Sequence, residues 1–262
     1  MAINFDFIRD WLAILGSIKT PDYPETVNDQ NLYELAQKHA ELDFFPGSTQ
    51  KRDFLGSVGK TILVESQKAS IIKKVQFIGL VYKNLRQRQI LLWFKDKKNH
   101  FDGGLGIPLG NYFYLVESNL GANKANCCVT REVVQEINGT HQKITINFEN
   151  SSQYKDPIPP IFWGGNYIGY HRIIIPAAAK VKNPENYDIE VRDKLKIVGF
   201  WMTVPAQESK TVELAYELDN SNNFIQVKRQ PGIKYLPYKL VVNGKIVADE
   251  KLMSDKFFAL PW

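Results

Sequence analysis

The spacing of apolar residues changes about one hundred residues into this chain of 262 residues. Before that point they recur every three or four positions, as on one face of a helix. From Asn111 onward, short runs of β-branched and aromatic residues alternate with turn residues, which is typical of a β-sandwich. The sequence therefore predicts an α+β fold: a helix-rich, partial α/β unit over residues 1–102 and a β-sandwich-like domain over residues 103–262.

Local signals place individual elements within these two regions. Apolar residues at helical spacing over residues 5–15 stop at Gly16, which favours a helix end. Further helices are predicted after Asn28, across residues 54–62, and from about residue 70 to 85. Asn-Gly at 243–244 separates two β-type runs and predicts a C-terminal hairpin. The other strands are expected at 90–94, 112–116, 143–148, 171–175, 197–204, 210–216 and 224–227.

Charge, composition and cysteine content exclude several classes of protein. Apolar residues make up 44% of the chain and the net charge is +5, which excludes an intrinsically disordered protein. The two cysteines, Cys127 and Cys128, are neighbours, so their Cα atoms lie only about 3.8 Å apart. We therefore expect no disulfide that staples the fold. A packing role in a strand, with one side chain inward and one outward, is favoured over redox activity.

Targeting and metal-binding signals are weak in this sequence. It contains no apolar run long enough to span a membrane, and its first residues do not resemble a signal peptide. The histidines stand far apart and without metal-ligand spacing; they are His39, His100, His141 and His171. We predict no metal site and no cofactor. Residues 56–61 resemble a phosphate-binding loop, but Phe54 replaces its first glycine, so a packed helix is favoured.

A basic segment extends from residue 67 to residue 98, with nine Lys or Arg and one acid, Asp96. It could follow a polyanion or lipid phosphate. However, its cations alternate with apolar residues as in an ordinary amphipathic helix whose charged face meets solvent; these apolar residues are Ile72, Val75, Ile78, Val81 and Leu85. That second interpretation is favoured, and we expect no nucleic-acid partner.

The densest set of polar residues surrounds the turn before a predicted helix at about residue 50. It comprises His39, Glu41, Asp43, Lys51 and Arg52. A helix N-terminus beside cations suits phosphate or pyrophosphate. A capped helix with surface ion pairs explains the same residues and is the favoured alternative.

Two further candidates lie in the second region. Lys124, within a run of Gly and Asn residues, could complete an anion-binding nest, although a tight β-connection is equally compatible. The aromatic residues Phe162, Trp163, Tyr167 and Tyr170 could stack on sugar rings, but core packing is favoured.

Three stretches together resemble a bacterial family of cell-surface proteins, the domain of unknown function numbered 4012. They are residues 36–55, 111–126 and 227–232. The resemblance implies a place on the extracytoplasmic face of the cell envelope, with membrane proximity provided by a segment upstream of this chain. It implies no known activity.

Residues 3–21, 31–36 and 50–52 are also similar to the second half of the LytR-CpsA-Psr domain. That family transfers glycopolymers from a polyprenyl-pyrophosphate carrier to the cell wall, using arginines and acids around Mg²⁺. The present chain departs from it, since residues 37–39 replace its paired arginines and only Lys51 and Arg52 resemble its later basic pair. The N-terminal strands of that family would precede Met1, so this chain, if complete, would lack the family's catalytic residues.

Three functions follow as hypotheses. The favoured one is a non-catalytic binding or scaffolding module for an anionic glycopolymer or its lipid carrier. The second is a phosphotransferase in which Lys51 and Arg52 stabilise pyrophosphate while Glu41 or Asp43 holds Mg²⁺. The third is a protein-protein interaction module without a small ligand.

Overall fold

A computed structural model of the chain describes residues 2–41, 49–92, 110–121, 123–156, 163–219 and 223–261. The chain divides into two compact units, residues 1–104 and 105–262. Helices precede a region rich in strands, so the predicted α+β class is confirmed. The predicted domain boundary at residue 103 lies outside the described residues and stays a prediction.

Helices dominate the described part of the first unit. They are α1 (Phe5–Leu15), α2 (Leu32–Glu41), α3 (Gln50–Lys68) and α4 (Ile71–Arg86). Four short strands accompany them, namely β1 (Ala2–Ile3), β2 (Ile18–Lys19), β3 (Thr26–Val27) and β4 (Ile90–Leu91). β1 pairs with β4 and β2 with β3, both antiparallel. The second half of the strand predicted at 90–94 lies outside the described residues.

The helix boundaries have local physical causes. α1 ends where Gly16 takes a φ of 94°, and the Gly16 amide donates to the Leu12 carbonyl at 2.7 Å. α4 begins after Ser70, whose hydroxyl accepts from the Lys73 amide at 3.4 Å. Residues 56–61 lie inside α3, which confirms the predicted helix and leaves no phosphate-binding loop there.

Two apolar clusters hold the first unit together. The first joins α1, α2 and α3 through Leu12, Leu32 and Phe54, all fully buried. The second joins α1 to α4, where the rings of Trp11 and Phe77 stack with centroids 4.1 Å apart. α4 is therefore anchored by one face to α1.

The second unit consists of two sheets, each with six strands among the described residues. The first has the order β10-β11-β8-β5-β13-β16 and the second β15-β14-β6-β7-β12-β9. Their strands are β5 (Asn111–Asn119), β6 (Val129–Asn138), β7 (His141–Asn150), β8 (Tyr167–Pro176), β9 (Lys180–Val181), β10 (Asp188–Arg192), β11 (Leu195–Val204), β12 (Ser209–Glu217), β13 (Phe224–Lys228), β14 (Leu236–Val242), β15 (Lys245–Leu252) and β16 (Lys256–Ala259).

One apolar core lies between these two sheets. Alternate residues of β7, such as Ile144, Ile146 and Phe148, are fully buried in it together with Ile173 and Val198 from the facing sheet. Most neighbouring strands are antiparallel, but β5 with β13 and β6 with β14 are parallel pairs. The predicted sandwich-like arrangement is thus confirmed.

The predicted C-terminal hairpin is also confirmed. β14 and β15 pair antiparallel, and Val242 lies opposite Lys245 across a two-residue turn. Asn243 and Gly244 have φ angles of 48° and 76°. Both values belong to the left-handed region, which a type I′ turn requires and which Asn-Gly adopts readily.

The cysteine pair differs from its predicted setting. Cys127 and Cys128 form a disulfide with each other. They end a short 3₁₀ helix, Ala125–Cys127, rather than standing in a strand, so the inward and outward packing role was wrong. A bond between neighbours connects no distant parts of the chain, which agrees with the expected lack of a stapling disulfide.

The orientation of α4 also differs from expectation. The helix buries Leu80 and packs Phe77 and Val81 inward, whereas Ile72, Val75 and Ile78 are exposed. The amphipathic interpretation was therefore right for Val81 and Leu85, which pack inward, and wrong for Ile72, Val75 and Ile78. Because apolar residues surround most of this helix, their spacing alone could not identify that face. No helix in the described part of the chain is both long and apolar enough to cross a membrane.

Candidate functional site

The first unit contains a cavity of about 480 Å³ beside the N-terminal half of α3. Its lining residues include cations, carboxylates, a hydroxyl and an aromatic ring. The residues are Asp22, Tyr23, Arg52, Asp53, Gly56, Ser57 and Lys60. A cavity of this size accommodates a small polar ligand or one unit of a polymer.

The helical repeat of α3 positions the two cations. Arg52, Gly56 and Lys60 follow one another at four-residue intervals, so they lie along one side of the helix. Gly56 separates the two charged side chains, and a Cβ placed on it would meet no atom within 4 Å. The missing side chain therefore leaves open space between the guanidinium and the ammonium group.

The carboxylates of the cavity are held by hydroxyl groups. The Ser57 hydroxyl donates to Oδ2 of Asp22 at 2.6 Å, and the Thr49 hydroxyl donates to Oδ2 of Asp53 at 2.5 Å. Within the described residues, neither Arg52 nor Lys60 forms an ion pair. Cations without a carboxylate partner are available to an anionic ligand.

Tyr23 forms an aromatic wall of the cavity. Its ring meets those of Phe54 and His39 edge-on, with centroids 5.1 and 4.9 Å away. Burial, together with the charges of Asp53, Asp22 and Glu25, raises the pKa of the Tyr23 hydroxyl. That hydroxyl therefore stays protonated near neutral pH and can donate a hydrogen bond.

His39 lies behind this wall rather than in the cavity. It stacks on Phe54 with ring centroids 4.6 Å apart, and its Nε2 is 3.4 Å from Oε1 of Glu25. Burial raises the pKa of the Glu25 carboxyl, but a backbone hydrogen bond, Lys38 and His39 outweigh that effect and lower it. Glu25 is thus a carboxylate that His39 and Lys38 share.

This arrangement suits a ligand that bears both phosphate and hydroxyl groups. Arg52 and Lys60 can bind phosphate oxygens, while Asp22 and Asp53 can accept hydrogen bonds from sugar or glycerol hydroxyls. The ring of Tyr23 offers an apolar surface for a sugar. No cluster of three His, Cys, Asp or Glu residues that could hold a metal ion occurs in the described ranges.

Comparisons of the chain with protein-family models and with curated proteins provide no relative from which a role could be transferred. No protein-family model matches the chain, and no curated protein matches it. The resemblances stated from the sequence stay predictions.

The structure locates the predicted site residues as follows. Arg52 lines the cavity. His39 does not line it, but its ring contacts Tyr23, which does. Glu41 ends α2 and Lys51 stands in the first turn of α3, but the side chains of both lie outside the described part. Asp43 lies outside the described residues altogether.

Lys124 belongs to the second unit, not to the unit that contains the cavity. Its carbonyl accepts hydrogen bonds from the amides of Cys127 and Gly164. Beside it, the Asn119 side chain accepts from the Gly121 amide at 3.0 Å and donates to the Asn123 carbonyl at 3.2 Å. The segment therefore serves as a β-connection held by asparagine side chains.

The predicted aromatic set divides between the two faces of a sheet. Tyr167 is buried in the core, whereas Tyr170 points to the opposite face and meets the exposed Trp201 edge-on at 5.3 Å. Trp163 is half-buried, and Phe162 lies outside the described residues. Core packing thus accounts for Tyr167 but not for Tyr170.

Among the lining residues, sequence reasoning selected only Arg52 as a site residue. It assigned residues 56–61, which include Lys60, to a packed helix, and it gave Asp22 and Tyr23 no role. Lys60 had a detectable signal, because Arg52, Gly56 and Lys60 share one helical repeat in a segment predicted to be helical. Asp22 and Tyr23 follow a turn about thirty residues away in sequence, and no local pattern connects that turn to α3.

The second unit contains a separate buried group of titratable residues. Nε of Arg131 lies 3.0 Å from Oε1 of Glu117, and the Tyr167 hydroxyl donates to Oε2 of Glu117 at 3.1 Å. Burial raises the pKa of the Glu117 carboxyl, although Arg131 and Tyr167 oppose it. Burial and the charge of Arg131 lower the pKa of the nearby His171 to about 4. All four side chains are largely enclosed, so this group belongs to the interior of the sandwich and not to an open site.

Proposed function

We propose that the chain is a non-catalytic binding or scaffolding module of the bacterial cell envelope, which holds an anionic glycopolymer or its lipid carrier. The observation that carries the proposal is the α3 cavity, where Arg52 and Lys60 flank Gly56 and neither cation has an ion-pair partner among the described residues. The extracytoplasmic location rests on the family resemblance alone.

The charge arrangement supports a phosphate-bearing ligand. Each cation can make charge-assisted hydrogen bonds to phosphate oxygens, which are roughly twice as strong as neutral ones. The proximity of α3's first turn adds a favourable dipole for an anion. We propose that Lys51, next to Arg52 in that turn, strengthens the same attraction.

The carboxylates favour a sugar-containing or glycerol-containing polymer over a simple polyanion. Asp22 and Asp53 would repel a ligand that carried only negative charge at this point. Hydroxyl groups placed between phosphates would instead donate to these carboxylates. A polymer that alternates phosphate with polyol units could bind the cations through its phosphates and the carboxylates through its hydroxyls.

Titration calorimetry of the full chain with poly(glycerol phosphate) tests the proposal. We expect saturable binding that weakens as salt increases. Arg52→Ala and Lys60→Ala should each raise the Kd roughly tenfold or more, the loss expected for a hydrogen bond to a charged group. Lys245→Ala, at the exposed hairpin turn of the second unit, serves as the control and should bind like wild type. Absence of binding, or equal binding by all variants, would refute the proposal.

The phosphotransferase alternative makes a different prediction in the same system. Turnover of a polyprenyl-pyrophosphate-linked glycan that requires Mg²⁺ and disappears in Arg52→Ala would favour it, with Glu41 or Asp43 holding the ion. The interaction-module alternative predicts partner binding that Lys51→Ala and Arg52→Ala leave unchanged.

A further inference from the structure

The helix α4 has a second apolar face, opposite to the one packed on α1. After an adjacent pair at its start, its members recur at intervals of three or four residues, so they share one side of the helix. We name this surface the α4 stripe; it comprises Ile71, Ile72, Val75, Ile78 and Tyr82. Their exposed fractions lie between 62% and 80%.

Such exposure is unusual for side chains of this size. Single exposed apolar residues are common on protein surfaces, but a continuous row of five marks a contact surface. The packing of α4 does not require them, because Phe77, Leu80 and Val81 already bury the inner face. The stripe is therefore available for a second contact.

The charges of α4 all have one sign. The helix contains Lys73, Lys74, Lys83 and Arg86 and no acid. Lys73 is turned inward, since its Nζ donates to the Leu15 carbonyl at 2.9 Å. The other three are exposed, and the Arg86 guanidinium lies over the Tyr82 ring, 5.9 Å from its centroid. Cations therefore border the stripe.

We propose that α4 lies flat on a bilayer of anionic lipids, with the α4 stripe among the acyl chains and Lys74, Lys83 and Arg86 at the lipid phosphates. An apolar face bordered by cations is complementary to such a surface in both hydrophobicity and charge. Tyr82 and Arg86 provide amphipathic side chains for the boundary between the two layers.

Charge argues against a second copy of the chain as the occupant. A symmetric contact through the stripe would bring α4 against α4. Since α4 has no acid, the cations of one copy would meet those of the other without a carboxylate to pair with them. Anionic lipid offers the opposite charge along the whole helix.

Flotation of the full chain with lipid vesicles tests this proposal. We expect binding to vesicles of phosphatidylcholine with phosphatidylserine, whose headgroup lacks the glycerol that the cavity is proposed to bind, weaker binding to phosphatidylcholine alone, and loss of binding at high salt. The double variant Val75→Glu/Ile78→Glu should reduce binding roughly tenfold or more, because it places charge in the apolar contact. Its circular dichroism and Tm should stay unchanged, since both side chains are exposed.

A matched control is available in the second unit. Ile246 is 61% exposed, like the stripe residues, and Ile246→Glu should bind vesicles as wild type does. The proposal is overturned if wild type ignores anionic vesicles at low salt, or if Val75→Glu/Ile78→Glu binds as wild type does. A third result would also overturn it: light scattering detects a wild-type dimer, the double variant dissociates that dimer, and the wild type does not bind vesicles.

The proposal for the cavity and the proposal for the α4 stripe can be refuted independently of each other. These vesicles contain neither glycopolymer nor polyprenyl carrier, so Arg52→Ala should still float with them. Conversely, Val75→Glu/Ile78→Glu should still bind poly(glycerol phosphate), because neither residue lines the cavity.

Discussion

The strand β7 and the helix α4 use their apolar residues in opposite ways. In β7, Ile144, Ile146 and Phe148 are fully buried and the polar residues between them face outward. In α4, one apolar face is buried while the α4 stripe stays exposed. All the apolar side chains of β7 are therefore used in the core, whereas α4 has further apolar side chains that the core does not use.

Exposed cations of the sandwich differ in the same way from those of α4 and of the cavity. In the second unit, lysines lie opposite acids on neighbouring strands, as with Lys143 and Glu213 at 2.6 Å and Lys239 and Asp249 at 3.4 Å. Among the residues that the structure describes, the exposed cations of α4 and the cavity cations Arg52 and Lys60 form no ion pair. Under the proposed function, both contact surfaces lie in the helical unit.

The largest expected effect comes from truncating the sandwich core. Phe148→Ala should lower the free energy of unfolding by about 3–5 kcal/mol, because it leaves a cavity among fully buried neighbours. Denaturant unfolding followed by circular dichroism measures the change. A loss below about 1 kcal/mol would mean that the core is far less tightly packed than the burial of Phe148 indicates.

The buried ion pair of the second unit gives the next largest effect. Arg131→Met should cost roughly 3 kcal/mol, since it leaves the Glu117 carboxylate buried without its cation. The double variant Arg131→Met/Glu117→Leu should lose less than the sum of the single variants. Additive losses in this double-mutant cycle would contradict a direct interaction between the two side chains.

A pH titration of stability sharpens the account of His171. Its folded pKa of about 4 lies below the ordinary value of 6.5. Between these two pH values the unfolded chain therefore binds more protons than the folded chain. The part of the unfolding free energy that depends on neutral His171 is fully present above about pH 6.5. It is lost as the pH falls, and the loss reaches about 2 kcal/mol at pH 5. His171→Phe should remove this part of the pH dependence. Identical slopes for wild type and variant between pH 6.5 and pH 5 would contradict it.

The smallest effect is expected at the α4 stripe. Ile78→Ser should change the free energy of unfolding by less than about 0.5 kcal/mol, because the side chain is already exposed to water. The same denaturant measurement as for Phe148→Ala applies. A loss above about 2 kcal/mol would show that Ile78 packs against protein, and the contrast between α4 and β7 would disappear.

Much of the fold could be predicted because local chemistry determined it. Gly16 and Ser70 mark helix ends, Asn243 and Gly244 form the predicted turn, and alternation located strands such as β7. These signals act within a few residues, so the sequence displays them directly.

The errors and omissions had physical causes of a different kind. The buried face of α4 depends on which side meets α1, and a helix with apolar residues on two faces contains no mark of that choice. The cysteine pair was assigned to a strand because the 3₁₀ turn before β6 has no strong local signal. Asp22 and Tyr23 join the cavity through tertiary packing alone, although Arg52 was predicted from its position in the sequence.

The central claim is that the open space beside Gly56 receives a phosphate-bearing polymer. Gly56→Met would fill that space, whereas Gly59→Met adds the same side chain to the same helix at a position that does not line the cavity. Neither substitution meets an atom within 4 Å of its Cβ, and methionine is a better helix former than glycine. Both variants should therefore fold as wild type does.

Titration calorimetry with poly(glycerol phosphate) then compares three proteins. We predict that Gly56→Met raises the Kd roughly tenfold or more, the effect of losing 1.4 kcal/mol of binding free energy, while Gly59→Met binds like wild type. Equal affinities for all three proteins would contradict the claim, and so would an equal loss in both variants.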